Sequence, residues 1–178
     1  MNTDPPQLHL RNASEPPPLE LEDVLKELGA GNSRFKGTSF GRGECDLETF
    51  LRECRDADDP AKLSADRVRQ TTFWLADANN RVVGVVRLRH SLNDRLTQYG
   101  GHIAYYVRPE ERGKGHGKEA LRLALKELAR FGVTAALITV HPGNEISKRV
   151  VMSNGGVPDC PGIDPVSGEV VDRYWINL

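Results

Sequence analysis

The sequence is short of everything that would staple or anchor it. Its 178 residues hold three cysteines, Cys45, Cys54 and Cys160. An odd count without CxxC spacing argues against a disulfide framework and a zinc motif, and fits a reducing compartment. No apolar run approaches the roughly 20 residues of a membrane span. The start, MNTDPPQLHL, has neither a basic stretch nor an apolar one, so no secretory leader is expected. An excess of one charge is also lacking: 24 Lys and Arg stand against 25 Asp and Glu. Nothing global therefore draws the chain to nucleic acid or to an anionic membrane, and a charged ligand must be met by a local site. We expect a cytoplasmic protein without nucleic-acid or membrane partners and without a metal.

What is present is a single domain over 1–178, since this length suits one domain with a real core. Residues 1–18 are proline-rich, with Leu8 to Arg11 between the proline groups reading as a short edge strand. Residues 19–69 carry two helices. Leu19 to Leu28 has apolar residues at helical spacing, and Gly29 stops it. Asp46 is a candidate N-cap for a helix to Asp56. Residues 29–43 read as a loop. This helix–loop–helix is either a lid over a site or simply packed structure.

Residues 70–178 change character. Thr72 to Asp77 and Arg81 to His90 form a hairpin about Ala78-Asn79-Asn80. Gly101 to Val107 is a strand, and Gly113 to Gly117 a glycine-rich turn. Lys118 to Phe131 is an amphipathic helix whose stripe is Ala120, Leu121, Ala124, Leu125 and Leu128. Val133 to Val140 is apolar almost throughout, as a strand covered on both faces should be. Asn144 caps a further helix to about Ser153. Val170 to Ile176 is a last strand, after a loop from Gly156 to Gly168. The strand–helix–strand unit at 101–140 requires a parallel pair. The expected class is α/β (α+β), a mixed sheet flanked by helices.

The loop Arg112-Gly113-Lys114-Gly115-His116-Gly117 lies between a strand and a helix. Successive backbone N–H groups and the helix N-terminus together suit a phosphate or pyrophosphate. A tight turn with solvated cations is the plainer alternative. The P-loop pattern fails, because Glu119 follows Gly117-Lys118 and Arg112 occupies the upstream glycine position. A dinucleotide fingerprint is literally present as Gly115, Gly117 and Ala120, but the next strand ends Thr139-Val140-His141 without the acid that ribose needs.

The segment YYVRPEERGKGHGKEAL resembles the central motif of GNAT acetyltransferases, with Arg112, Gly115 and Gly117 at its defining positions. Asn144, Ser147 and Asn154-Gly155-Gly156 resemble the second motif, and the likeness extends over about 70–178. The resemblance implies a mostly antiparallel sheet with a central parallel pair, and acetyl-CoA as cosubstrate. It implies that Tyr105, Tyr106 and Val107 line the pantetheine arm and that Gly113, Lys114, Gly115, His116, Gly117 and Lys118, with Arg112, cradle the pyrophosphate. Asn144 would touch the arm. The acceptor would be a small-molecule or peptide amine, the attack direct, and a homodimer is left open.

Acetyl transfer needs a neutral amine. One with a pKa near 10.4 is neutral about one time in 2,500 at pH 7, so a general base helps. His102, placed by alternation with Ala104 and Tyr106, is the candidate, and His90 the substitute. The tyrosine that in the family protonates the leaving thiolate falls at Val151, which carries no proton. That departure keeps open a protein that binds CoA without turnover. The acids Asp159, Asp164 and Glu169 either attract a cationic acceptor or are merely solvated. The acceptor's identity and the use of other acyl-CoAs are not fixed by these residues.

Overall fold

The computed structural model describes residues 7–32 and 35–178, so Pro5 and Pro6 of the proline-rich start lie outside the described residues. The elements run β1 (His9–Asn12), α1 (Leu21–Leu28), β2 (Gly31–Asn32), β3 (Phe35–Lys36), α2 (Leu47–Asp58), β4 (Gln70–Ala76), β5 (Val82–Arg89), β6 (Ile103–Val107), α3 (His116–Arg130), β7 (Ala135–Val140), α4 (Glu145–Ser153), β8 (Val157–Ile163) and β9 (Val170–Asn177). A π-type turn spans Leu96–Gly100, and a 3-10 turn spans Pro109–Glu111.

The strands form two antiparallel sheets, ordered β1-β4-β5-β6 and β7-β9-β8, with β2 and β3 as a separate short hairpin. β4 and β5 are buried along nearly their whole length because both faces are covered. On one face Phe73, Leu75, Val86 and Leu88 meet the stripe of α3, where Ala120, Leu121, Ala124 and Leu128 are buried, together with Val151 of α4. On the other, Trp74, Val85 and Tyr106 meet Val24, Leu25 and Leu28 of α1 and Phe50 and Cys54 of α2. Each helix is amphipathic and has one sheet face to cover, which fixes the layering.

Both expected caps are made. Asp46 accepts the Thr49 N–H at 2.8 Å, and Asn144 accepts the Ser147 N–H at 3.0 Å. Two stretches expected as loops are strands. The segment 157–163 is β8, an edge strand, where Pro158 and Pro161 are tolerated because they need not donate to a second neighbour. In the other, Gly31 pairs with Lys36 and Asn32 with Phe35, as β2 and β3.

At the far end of β6, Arg108 is buried and donates to Glu27 at 3.0 Å and to Glu20 at 2.6 Å. Arg81 adds Glu20 at 2.9 Å and Glu111 at 2.8 Å. This network ties α1 and the β4–β5 turn to the segment that leads into the glycine-rich loop.

Candidate active site

β6 and β7 are the strands joined by α3, and they meet at one point. The His102 N–H donates to the Leu137 carbonyl at 2.7 Å. The Leu137 N–H in turn goes to the His102 imidazole Nδ1 at 2.9 Å rather than to a backbone carbonyl. Beyond that point no ladder joins them, and the two sheets splay apart. Backbone alternation tells which groups face the gap. Arg89 N–H donates to His102 O, and Arg108 N–H to Val83 O, so the even-numbered residues of β6 pair with β5. The backbone groups of Ile103, Tyr105 and Val107 therefore face β7. On β7 the Leu178 N–H donates to Thr134 O, so Ala136, Ile138 and Val140 pair with β9 and Thr139 faces the gap. Val107 O already accepts from Arg112 Nε at 3.1 Å, which leaves Tyr105 as the central exposed edge.

The loop follows at once. Gly113 and Gly115 have φ of +77° and +82°, a left-handed conformation that demands glycine. Gly117 has no such φ, and a Cβ there would lie 3.7 Å from Tyr105 Cε2 and 3.8 Å from Val150 Cγ2. Its glycine leaves room on the cleft side. Glu111, buried under the loop, accepts from Lys114 at 2.9 Å and lies 3.4 Å from His116 Nδ1. Arg112 sits over the Tyr106 ring at 5.7 Å.

Splay and loop open into one cavity of about 810 Å³. Its walls bring together Tyr105, Tyr106, Val107, Arg112, Gly113, Gly115, His116, Gly117, Lys118 and Asn144. Lys114 is not on them, its amine being spent on Glu111. Nor is His102. It is 6% exposed, its Nδ1 is committed to Leu137, and burial together with Arg89 lowers its pKa to about 4. With Nδ1 accepting, the ring proton of the neutral form sits on Nε2. A donor at that atom is not the base the sequence suggested.

His90 is no substitute, since it stacks on Phe131 at 4.0 Å, bonds Thr71 Oγ1 at 2.7 Å and lies off the cavity. His141 does line the cavity, exposed, its Nδ1 accepting the Gly143 N–H at 3.2 Å. Val151 is fully buried on the wall. Of the three acids near the C-terminus, Asp159 is held by Arg173 and by Trp175 Nε1, Asp164 lies 3.5 Å from Arg95, and Glu169 accepts from Tyr99. Among the described residues, no Asp or Glu lines the cavity.

Sequence reasoning named Ser147 only as part of the second motif, and it missed a basic cluster altogether. Ser147, near the start of α4, shares the cavity wall with Tyr105, whose hydroxyl pKa burial raises. On the α1–α2 side of the sheet, Phe35, Lys36, Arg87, Arg89 and Arg95 line the other mouth of the cavity. Arg87 and Arg89 were legible as alternate residues of one strand, but their destination depends on the splay.

The sequence matches the family model described as Acetyltransferase (GNAT) family over residues 42–155, more than half of the chain. The chain belongs to the GNAT acetyltransferase family, and its class is an acyltransferase. Among solved structures it is similar to yncA, an acetyltransferase from Salmonella typhimurium solved with its cofactor acetyl-CoA, at 14% identity. The match covers 98% of this chain and 95% of that one, with a TM-score of 0.64. It is similar to variant forms of the spermidine/spermine N-acetyltransferase SpeG from Vibrio cholerae, at 17% identity, 96% and 95% coverage and a TM-score of 0.63. It is similar too to the ribosomal-protein-S5-alanine acetyltransferase from Vibrio fischeri, at 14% identity, 99% and 95% coverage and a TM-score of 0.63. At such identities the likeness is one of fold. No curated protein sequence matches.

Proposed function

We propose that the cavity binds acetyl-CoA and that the protein transfers its acetyl group to a primary amine by direct attack in a ternary complex. The observation that carries this is the unpaired edge of Tyr105, facing Thr139 across the splay and opening beside the loop 113–117. An extended amide chain fits such an edge as an added strand would. The loop N–H groups and the N-terminus of α3 suit a pyrophosphate, with Arg112 and Lys118 at its flanks. Acetyl-CoA in the similar yncA structure supports the reading.

In the transfer, the amine nitrogen bonds to the thioester carbonyl carbon and the C–S bond breaks. The amine proton passes to water, and the thiolate leaves as CoA or takes a proton from solvent. A backbone N–H of the β6 edge is the donor for the developing oxyanion. Val151 gives α4 no acid, and a thiolate with a pKa near 8.5 leaves without one. Cys45, Cys54 and Cys160 are free and none lines the cavity, which supports direct attack over an acetyl-cysteine and fits a reducing, cytoplasmic setting.

Val151 also sustains the second reading, a CoA-binding protein without turnover. Calorimetry with CoA, followed by thiol release from acetyl-CoA over an amine panel, tests both. Binding with amine-dependent release is expected. Binding without release under every amine favours the second reading, and absence of binding removes both.

A further inference from the structure

The α1–α2 mouth of the cavity is lined by Lys36, Arg87, Arg89 and Arg95, and by no carboxylate among the described residues. Arg95 is partly offset by Asp164 at 3.5 Å. Arg89 donates to the carbonyls of Gly101 at 2.9 Å and Gly100 at 3.3 Å, bracing the bend before β6. Arg87 is the informative one. It is half-buried and stacks on the Phe35 ring at 4.5 Å, with Nη1 donating to Lys36 O at 3.0 Å. No carboxylate among the described residues pairs with it. Outside the cavity, the buried and half-buried arginines do pair: Arg11 with Glu15, Arg81 with Glu111, Arg108 with Glu27, Arg173 with Asp159. A buried cation without its anion is costly unless a ligand supplies one.

The cofactor's phosphates are not that ligand. Arg87 lies opposite Ala104 on β6, three residues and roughly 10 Å along the strand from Val107, where the chain leaves for the loop. It also faces the α1–α2 side of the sheet, beside Tyr106 and Phe35, whereas Tyr105 and Ser147 face α3 and α4.

Resting on the acetyltransferase reading, we propose that the acetyl acceptor is a small primary amine bearing a carboxylate, held by Arg87 with Lys36 beside it. A guanidinium on an aromatic ring presents its remaining N–H groups as a fork matched to a carboxylate. The same wall disfavours the protonated form of an amine held next to it, because like charges raise each other's cost. It thereby raises the fraction of neutral amine, which is what attack needs where the cavity wall offers no carboxylate base. It also rejects polyamines, which carry several ammonium groups and no anion. Burial lowers the pKa of Arg87 itself.

The test compares matched acceptors: L-amino acids, their primary amides and spermidine. Thiol release from acetyl-CoA is read for each, and calorimetry on the CoA-loaded protein reads binding where turnover is slow. The amino acids should be preferred over their amides by about 10–100-fold, the worth of a hydrogen bond to a charged group. Arg87→Gln, with thermal unfolding as a control, should raise KM for the amino acid by a similar factor while KM for acetyl-CoA and for the amide stay put. Lys36→Gln, at an exposed site, should show a smaller shift of the same sign if Arg87→Gln misfolds. Amides or spermidine used, or bound, as well as the amino acids would overturn the inference. A protein that does not bind CoA overturns the reading beneath it, whereas CoA binding without carboxylate preference overturns this inference alone.

Discussion

The His102 imidazole accepts the Leu137 N–H at 2.9 Å, and the Leu137 carbonyl accepts the His102 N–H at 2.7 Å. In a continuous parallel ladder that Leu137 N–H would go to the carbonyl two residues before His102, that of Gly100. An inserted side chain takes it instead, so the ladder stops and the cleft begins. This makes His102 a positioning residue at the apex of the splay. His102→Ala leaves a buried N–H without an acceptor, at a cost of about 1–3 kcal/mol. The expected outcome is a lower urea midpoint and a raised KM for acetyl-CoA. His102→Asn, which restores an acceptor oxygen, should recover part of both. A general base would instead show a lower kcat at unchanged stability and KM.

The same bond predicts a pH dependence of stability. The ordinary pKa of His102 is 6.5, and burial and Arg89 bring the folded value to about 4. The unfolded chain therefore takes up more protons between these values. The contribution is fully present above pH 6.5 and is lost as pH falls towards 4. His90, also lowered by burial, acts with the same sign. Denaturation curves at several pH values should show His102→Asn flatter than the native chain over this window. Parallel curves would remove His102 as the source.

Gly117→Ala separates ligand space from folding. Gly117 is the second residue of α3, its φ is unexceptional, and a new Cβ would meet only ordinary contacts at 3.7 and 3.8 Å. The helix should gain stability, up to about 1 kcal/mol. On the proposed function, however, the methyl group would stand where backbone and phosphate approach. Thermal unfolding should hold or rise while CoA affinity drops by about tenfold or more. Unchanged affinity would place the phosphates elsewhere.

Much of this was legible before the fold was known. The stripe of α3 and the caps Asp46 and Asn144 follow from local chemistry, and so does the glycine-rich loop. Other features depend on distant partners. β8 contains two prolines, and only its position at a sheet edge makes them acceptable. His102 was placed by strand alternation, yet it lies in the bend after Gly101, whose φ is +67°, and its ring finds Leu137, 35 residues away. Asp159, Asp164 and Glu169 looked available for a cationic acceptor because their partners Arg173, Arg95 and Tyr99 are set by the second sheet and the Leu96–Gly100 turn.

Direct transfer predicts that the cysteines are dispensable. Cys54 is buried, its thiol pushed up to about 11 by desolvation, so it holds almost no thiolate at pH 7. Cys45 and Cys160 are also off the cavity. A variant with all three replaced by alanine should keep kcat within about twofold, provided it folds, because no step runs through sulfur on the protein. Mass spectrometry of the native protein after acetyl-CoA should show no acetylated cysteine. An acetyl-cysteine together with lost turnover would replace direct attack by a two-step mechanism.

Asn144 has two roles that one substitution can pull apart. Its Oδ1 caps α4 through the Ser147 N–H at 3.0 Å, and the residue also lines the cavity. Aspartate caps a helix as well as asparagine does, and its charge suits the positive end of the helix by about 0.3–1 kcal/mol. Asn144→Asp should therefore leave the unfolding temperature unchanged or slightly raised. On the proposed function, the same charge in the cavity would meet an anionic cofactor and draw on Arg112 and Lys118, the cations that flank the loop. If Asn144 borders the pantetheine arm, CoA affinity should fall by about tenfold, most steeply at low ionic strength where screening is weakest. If it is a cap and nothing more, calorimetry will return the native affinity at every salt concentration, and the arm must run along β6 without reaching α4.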